Sequence, residues 1–193
     1  MRKIKNLKRA VNVYFADPEL GEEIYGHIND WDVSDFTNMS GLFRGMDFWK
    51  PSINLKDWDV SNVTDASYMF QKAEVSSAGD AGISNWVFPN LKNAEYMFNE
   101  AEFDHLDLNN WKPLGVKYYG MFEDFCIQLS RPEQTILPNM SKWELNYFCK
   151  QEEAPHLMFG GEFYGFQKKH LDIVSKWNWV KELSVEKLFF SNY

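Results

Sequence analysis

The sequence has only two cysteines, no long apolar run, and few basic residues beyond its first ten positions. Cys126 and Cys149 are too few for a disulfide framework. They form no CxxC pair and no zinc-like grouping with His27, His105, His156 or His170, so no metal and no cofactor is expected. Nothing approaches the roughly 18 apolar residues that span a bilayer, and no apolar segment follows the basic start as in a secretory leader. The expectation is a cytoplasmic chain without a membrane span. Net charge is −8, yet the opening "MRKIKNLKRA" holds five of the twenty Lys and Arg and no acid, leaving −13 on the remaining 183 residues. A body of that sign repels phosphate backbones, which argues against nucleic acid as a partner.

Aromatic residues are abundant. They make up 17% of the chain, with sixteen Phe and eight Trp, and only 25% of residues are charged. Such a composition demands a packed core. The aromatic residues are also periodic. "NDWDVSDFTNMSGLF" (residues 29–43) is nearly restated as "KDWDVSNVTDASYMF" (residues 56–70). Trp31, Trp58, Trp86 and Trp111 are each followed by a Met-Phe or Leu-Phe pair and preceded three residues earlier by Ile28, Leu55, Ile83 and Leu108. Trp143 in "MSKW" and Trp177 in "VSKW" extend the series, giving spacings of 27, 28, 25, 32 and 34 residues. A period of this length marks a stack of supersecondary units that cannot bury their large side chains alone.

Asp, Ser, Asn and Pro punctuate every unit, which disfavours paired amphipathic helices. "INLKDW" (residues 53–58) and "HLDLNNW" (residues 105–111) have the L-x-L spacing of a leucine-rich strand. A turn and a short helical segment carrying the Met-Phe pair should follow. The expected fold class is therefore α/β, a leucine-rich-repeat-like solenoid of about six short strand-turn-helix units with an N-terminal cap. Residues 1–25 form the cap, with Val11, Val13, Tyr14 and Leu20 covering the first unit. Residues 26–125 form four regular repeats, and residues 126–193 two degenerate repeats with insertions and a C-terminal cap.

The stretches "INDWDVSDFTNMSGLF", "LKDWDVSNVTDASYMFQKA" and "ISNWVFPNLKNAEYMFNEAEF" resemble the BspA-like leucine-rich repeat family, known also from mycoplasma surface lipoproteins, over residues 10–125. The resemblance implies a right-handed solenoid that serves adhesion, host interaction or protein binding, without catalysis. The sequence departs from the family pattern at Val87 and Lys112, which stand where the Asp after Trp is expected. The units around Trp143 and Trp177 also lack the D-V-S turn.

Paired carboxylates suited to acid-base chemistry occur at Asp30 with Asp32 and at Asp57 with Asp59. Their recurrence in successive units favours turn capping over a single catalytic centre. "GGEFYGF" (residues 160–166) has no Lys-Ser or Lys-Thr after its glycines and so fits a loop better than a phosphate cradle. The sequons at Asn38, Asn62 and Asn139 fall on the repeat's own turns for the first two. If the L-x-L segment is a strand, its outward residues form a polar column. His27, Asn29, Asn54, Lys56, Ser84, Asp107, Asn109, Asn139 and Ser141 are then the candidate protein-binding face, with simple solvation the alternative reading. The expected function is that of a non-enzymatic protein-binding or scaffold protein. One alternative is a structural assembly subunit, of a virion or other large particle, docking through Phe189, Phe190 and Tyr193. The other is a small hydrolase with its site in residues 126–170.

Overall fold

The computed structural model describes residues 2–48, 53–75, 80–103, 105–111, 116–122, 125 and 140–142. It opens on strand β1 (Arg2–Lys3), followed by helices α1 (Leu7–Ala16) and α2 (Pro18–Tyr25). Asn6 caps α1 by accepting from the Arg9 backbone N–H at 3.0 Å, which satisfies one of the donors a helix start leaves free. Leu7, Ala10, Val11 and Tyr14 are buried and recur at the spacing of one helical face. Pro18 disfavours helical geometry at Asp17. That residue is extended (φ −148°, ψ 96°) and caps α2 through the Leu20 N–H at 3.0 Å. Gly21 lets α2 close onto α1, because a Cβ there would lie 2.6 Å from Tyr14 Cα.

Four tiers follow, spanning residues 27–48, 53–75, 80–103 and 105–125, each lying on the one before. Asn38 bridges to Asp65, Asp65 to Asn93 and Asn93 to Lys117, all in parallel register. Backbone donors alternate along these segments. The N–H groups of Met39, Gly41, Phe43 and Gly45 donate to Asp65, Ser67, Met69 and Gln71 of the next tier. Those of Leu42, Arg44 and Met46 donate back to Met39, Gly41 and Phe43 of their own tier. The second tier repeats this with Ala66, Tyr68, Phe70 and Lys72 donating to Asn93, Glu95, Met97 and Asn99. Each tier is thus a chain of consecutive turns welded to its neighbour by every second amide.

This geometry overturns the expected fold class. Among the described residues the only α-helices are α1 and α2, both ahead of the tiers. The strands among the described residues are four segments of two residues: β1 with β2 (Trp31–Asp32), and β3 (Glu74–Val75) with β4 (Glu102–Phe103). Among the described residues no strand-turn-helix unit recurs, and no solenoid of six such units is present. The aliphatic residue three before Trp opens a 3₁₀ turn at Ile28–Asp30 and Ile83–Asn85, and in residues 53–58 and 105–111 the same place is a hydrogen-bonded turn, Trp58 N–H donating to Leu55 O and Trp111 N–H to Leu108 O. The Met-Phe segments cannot be helical, because half of their N–H groups are committed to another tier. Trp143, Trp177 and the sixth expected repeat lie outside the described residues.

The core runs through the tiers as two aromatic columns. Trp31, Trp58, Trp86 and Trp111 are buried. Trp31 stacks on Trp58 at 6.2 Å and Trp58 on Trp86 at 6.3 Å, whereas Phe88 wedges edge-on between Trp86 and Trp111. Each indole N–H finds a carbonyl: Trp31 donates to Gly26, Trp58 to Ile28, Trp86 to Leu55 and Trp111 to Ile83. Phe43, Phe70, Phe98 and Phe122 form the second column at 5.3–5.5 Å. The two N-terminal helices close the first tier. Tyr14 packs edge-on to Trp31 at 5.8 Å, and Phe15 packs on Phe43 and Phe48. Val13 is half-buried and Leu20 is 43% exposed.

Candidate interaction surface

Side chains of the polar column read from the sequence accept from backbone amides, three within a turn and three from the next tier. His27 Nδ1 accepts from the Asn29 N–H at 3.3 Å, and Asn29 Oδ1 accepts from Asn54 N in the next tier at 2.9 Å. Asn54 Oδ1 accepts from Lys56 N, Ser84 Oγ from Asp107 N, Asp107 Oδ1 from Asn109 N, and Asn109 Oδ1 from Lys142 N. Lys56 is exposed and Ser141 half-buried. Asn139, Phe189, Phe190 and Tyr193 lie outside the described residues, as does all of 126–170 except Met140, Ser141 and Lys142.

The recurring acids close turns of the same kind. Asp32 accepts from the Ser34 hydroxyl at 2.7 Å and its N–H at 3.2 Å, and Asp65 binds Ser67 in the same way. The hydroxyl and N–H of Ser34 hold the Asp32 carboxyl below the usual carboxylate range, with Lys3 adding a smaller effect. Ser61 does the same for Asp59, against a weak opposing effect of burial. Sequon residues are likewise bonded to backbone, Asn62 and Thr64 across tiers and Asn38 within its own turn. Asn62 Nδ2 donates to Ser34 O, Thr64 Oγ1 donates to Thr37 O, and Asn38 Oδ1 accepts from Ser40 N.

A second outward feature escaped the sequence reading. Tyr68 and Tyr96 stack face to face at 5.2 Å with 10° between ring planes, and Tyr119 meets Tyr96 edge-on at 5.4 Å. Tyr68 is 37% exposed, Tyr119 47% exposed and Tyr96 half-buried. The Arg44 guanidinium lies 5.9 Å from the Tyr68 ring centre, extending the column by a cation-π contact. Tyr68 and Tyr96 sit at φ 57° and 54°, where the corresponding positions of the first and fourth tiers hold Gly41 and Gly120. The left-handed region costs a side-chain-bearing residue on the order of 1–2 kcal/mol. Glycine would meet the backbone requirement there, so the two tyrosines add exposed rings that the turn itself does not need. Stacking of the pair, worth roughly 0.5–1.5 kcal/mol, offsets much of the cost. The signal was available: Tyr precedes Met-Phe in "SYMF" (residues 67–70) and "EYMF" (residues 95–98), where "SGLF" (residues 40–43) has Gly.

The same tiers carry a buried amide pair and a column of acids. Gln71 Nε2 donates to Asn99 Oδ1, and both residues are over nine-tenths buried. Gln71 Oε1 has no partner. Lys72 pairs with Glu100 at 3.3 Å. Asp47 bridges to Glu74, and Glu74 pairs with Glu102 across β3 and β4, so three carboxylates occupy one column in consecutive tiers. Among the described residues no cation pairs with Glu74 or Glu102.

Among the described residues no group of three His, Cys, Asp or Glu could hold a metal ion, and no helix is long and apolar enough to cross a membrane. No curated protein and no solved structure matches the chain. A family model described as "Mycoplasma protein of unknown function, DUF285" matches residues 10–131, which takes in α2, most of α1, the stacked tryptophans and the tyrosine column. The chain therefore belongs to the DUF285 family.

Proposed function

We propose that this chain is a non-enzymatic protein-binding module of the BspA-like repeat kind, and that its contact surface is the column of Tyr68, Tyr96 and Tyr119 with Arg44. The observation that carries this reading is the exposure of stacked rings at backbone positions where glycine serves in the flanking tiers. Tyr and Arg are the residue types enriched in the contact cores of protein interfaces, because both give a large contact area together with a polar end. The tiers beneath hold the rings in fixed register, so little ordering entropy remains to be lost on binding.

The test is capture of partners by the full chain in an extract of its source cells, comparing the wild type with the Tyr68→Gly/Tyr96→Gly double variant. Glycine removes the rings and relieves the left-handed strain, so the variant stays folded. A protein retained by the wild type, lost by the variant and shown to bind directly when purified supports the reading. Identical capture by both forms removes the tyrosine surface from it.

A further inference from the structure

We propose that the tyrosine column ends in an open place over Gly41, and that this place takes one aromatic side chain of a partner protein, stacked on the outer face of Tyr68. This rests on the protein-binding reading above and names the chemistry of the partner. Register defines the place. Asn38, Asp65 and Asn93 bridge in parallel from tier to tier, and Gly41, Tyr68 and Tyr96 each follow them by three residues. All three share the left-handed backbone, at φ 60°, 57° and 54°. The Gly41 N–H donates to Ser67 O and the Tyr68 N–H to Glu95 O, so the two residues hold the same position in successive tiers. A side chain at Gly41 would therefore leave the backbone in the direction that Tyr68 and Tyr96 take. Glycine supplies none, and a Cβ built there meets nothing within 4 Å.

The size and chemistry of the place follow from the rings beside it. Tyr68 and Tyr96 stack at 5.2 Å with 10° between their planes, close to the roughly 4.8 Å between paired backbone segments. One more ring at that interval falls over Gly41, on the face of Tyr68 turned away from Tyr96. At its other end the column is closed by Tyr119, which meets Tyr96 edge-on. The open face carries the negative side of the ring quadrupole. Arg44, three residues beyond Gly41, brings its guanidinium to 5.9 Å from the Tyr68 ring centre. Direct face contact would need about 3.5–4.0 Å, so the cation stands off from the ring. Arg44 is exposed and can close over the far face of an incoming ring, which then lies between a phenol and a cation. A second cation would be repelled by Arg44. An aliphatic side chain would gain contact area without either π interaction. Nucleobases are planar too, but they arrive with phosphates that a chain of net charge −8 repels.

The experiment titrates the isotope-labelled full chain with a capped Gly/Ser peptide carrying one Tyr, and follows the NMR signals of the Gly41 amide and the Tyr68 ring. Peptides with cyclohexylalanine or Arg in place of that Tyr, and adenosine monophosphate, are the comparisons. The expected result is a saturable upfield shift of both signals with the Tyr peptide. The comparison ligands should bind about fivefold more weakly, the factor that one ring-stacking contact supplies. Gly41→Tyr fills the place from the chain's own backbone, which holds Tyr at nearly the same φ in the next two tiers, and should abolish the shift of the Tyr68 ring. Gly45→Tyr, at φ 65° in the same tier and with equally open surroundings, adds the same ring and the same strain elsewhere and should leave binding unchanged. Tyr68→Leu removes the stacking face without touching Gly41 and should abolish the shift of the Gly41 amide, which keeps the proposal testable if Gly41→Tyr fails to fold. Undiminished binding by Gly41→Tyr or Tyr68→Leu overturns the proposal. So does equal binding of a comparison ligand, or no binding of the Tyr peptide. Gly41→Tyr also belongs in the preceding capture experiment. A partner kept by this variant but lost by Tyr68→Gly/Tyr96→Gly overturns the place over Gly41 while leaving the tyrosine surface standing, whereas a partner kept by both removes the surface itself.

Discussion

At the scale of single residues, much of the polar sequence answers to backbone geometry. Gly45 occupies the left-handed region at φ 65° with open space around a notional Cβ, and Lys72 and Glu100 occupy the matching place in later tiers at φ 58° and 53°. Gly45→Ala should therefore cost only the conformational penalty, about 1–2 kcal/mol in urea denaturation. Gly82 differs. At φ 81° its added Cβ would strike Asn54 Oδ1 and approach Lys56 N to 2.8 Å, both in the tier beneath. Gly82→Ala should cost clearly more, and equal losses at the two sites would show that the tiers yield easily. The acids carry a pH dependence of definite sign. Asp32 and Asp59 titrate below their ordinary value in the folded chain, so their stabilisation is present above the unfolded pKa of about 3.9. It is lost as pH falls through the depressed folded value. Asp32→Asn keeps an acceptor for Ser34 but not the charge. Its acid-denaturation curve should be flatter below pH about 4 than that of the wild type, and an unchanged curve would refute the assignment.

At the scale of elements, the building unit is a run of consecutive turns, and this decides what could be read from the sequence. The period of Trp and Met-Phe was legible because large apolar side chains must be buried, and a stack buries them only if they recur. The D-x-S turns were legible because a short carboxylate two residues before a serine reaches that serine's N–H. Strand and helix were misassigned because apolar positions two apart, such as Ile53 and Leu55, satisfy a strand and a tight turn equally well. Positive φ at Tyr68, Lys72, Tyr96 and Glu100 contradicts the usual preference of those residue types. The hydrogen bonds of the polar column were not legible for a related reason: an Asn on an outer edge can face water or reach a neighbouring amide, and sequence does not say which. Asn29 reaches Asn54 N in the next tier. Asn29→Ala should therefore cost about 1 kcal/mol, whereas Lys56→Ala, on an exposed side chain, should stay within about 0.5 kcal/mol. Equal and negligible effects would return Asn29 to a solvated role.

At the scale of the whole molecule, each tier touches mainly the tiers before and after it, with α1 and α2 closing the first. Stability in such a stack is close to a sum of nearest-neighbour terms. The connections run both ways. Indole N–H groups reach backward to carbonyls of earlier residues, Trp58 to Ile28 and Trp86 to Leu55, as do the backbone N–H groups of Thr64, Glu74, Asn93 and Glu102, whereas those of Met39, Gly41, Phe43 and Gly45 await oxygens of the next tier. During synthesis, a tier leaving the ribosome meets both kinds of partner already in place on the tier before it. The growing edge is thus a template that each addition consumes and renews, and the chain can be completed from its first residue onward without waiting for its last. Nascent chains stalled at increasing lengths should gain protease resistance in steps of about one tier, beginning once Trp58 has emerged beside Trp31; resistance gained only on release of the finished chain would show that the stack closes all at once.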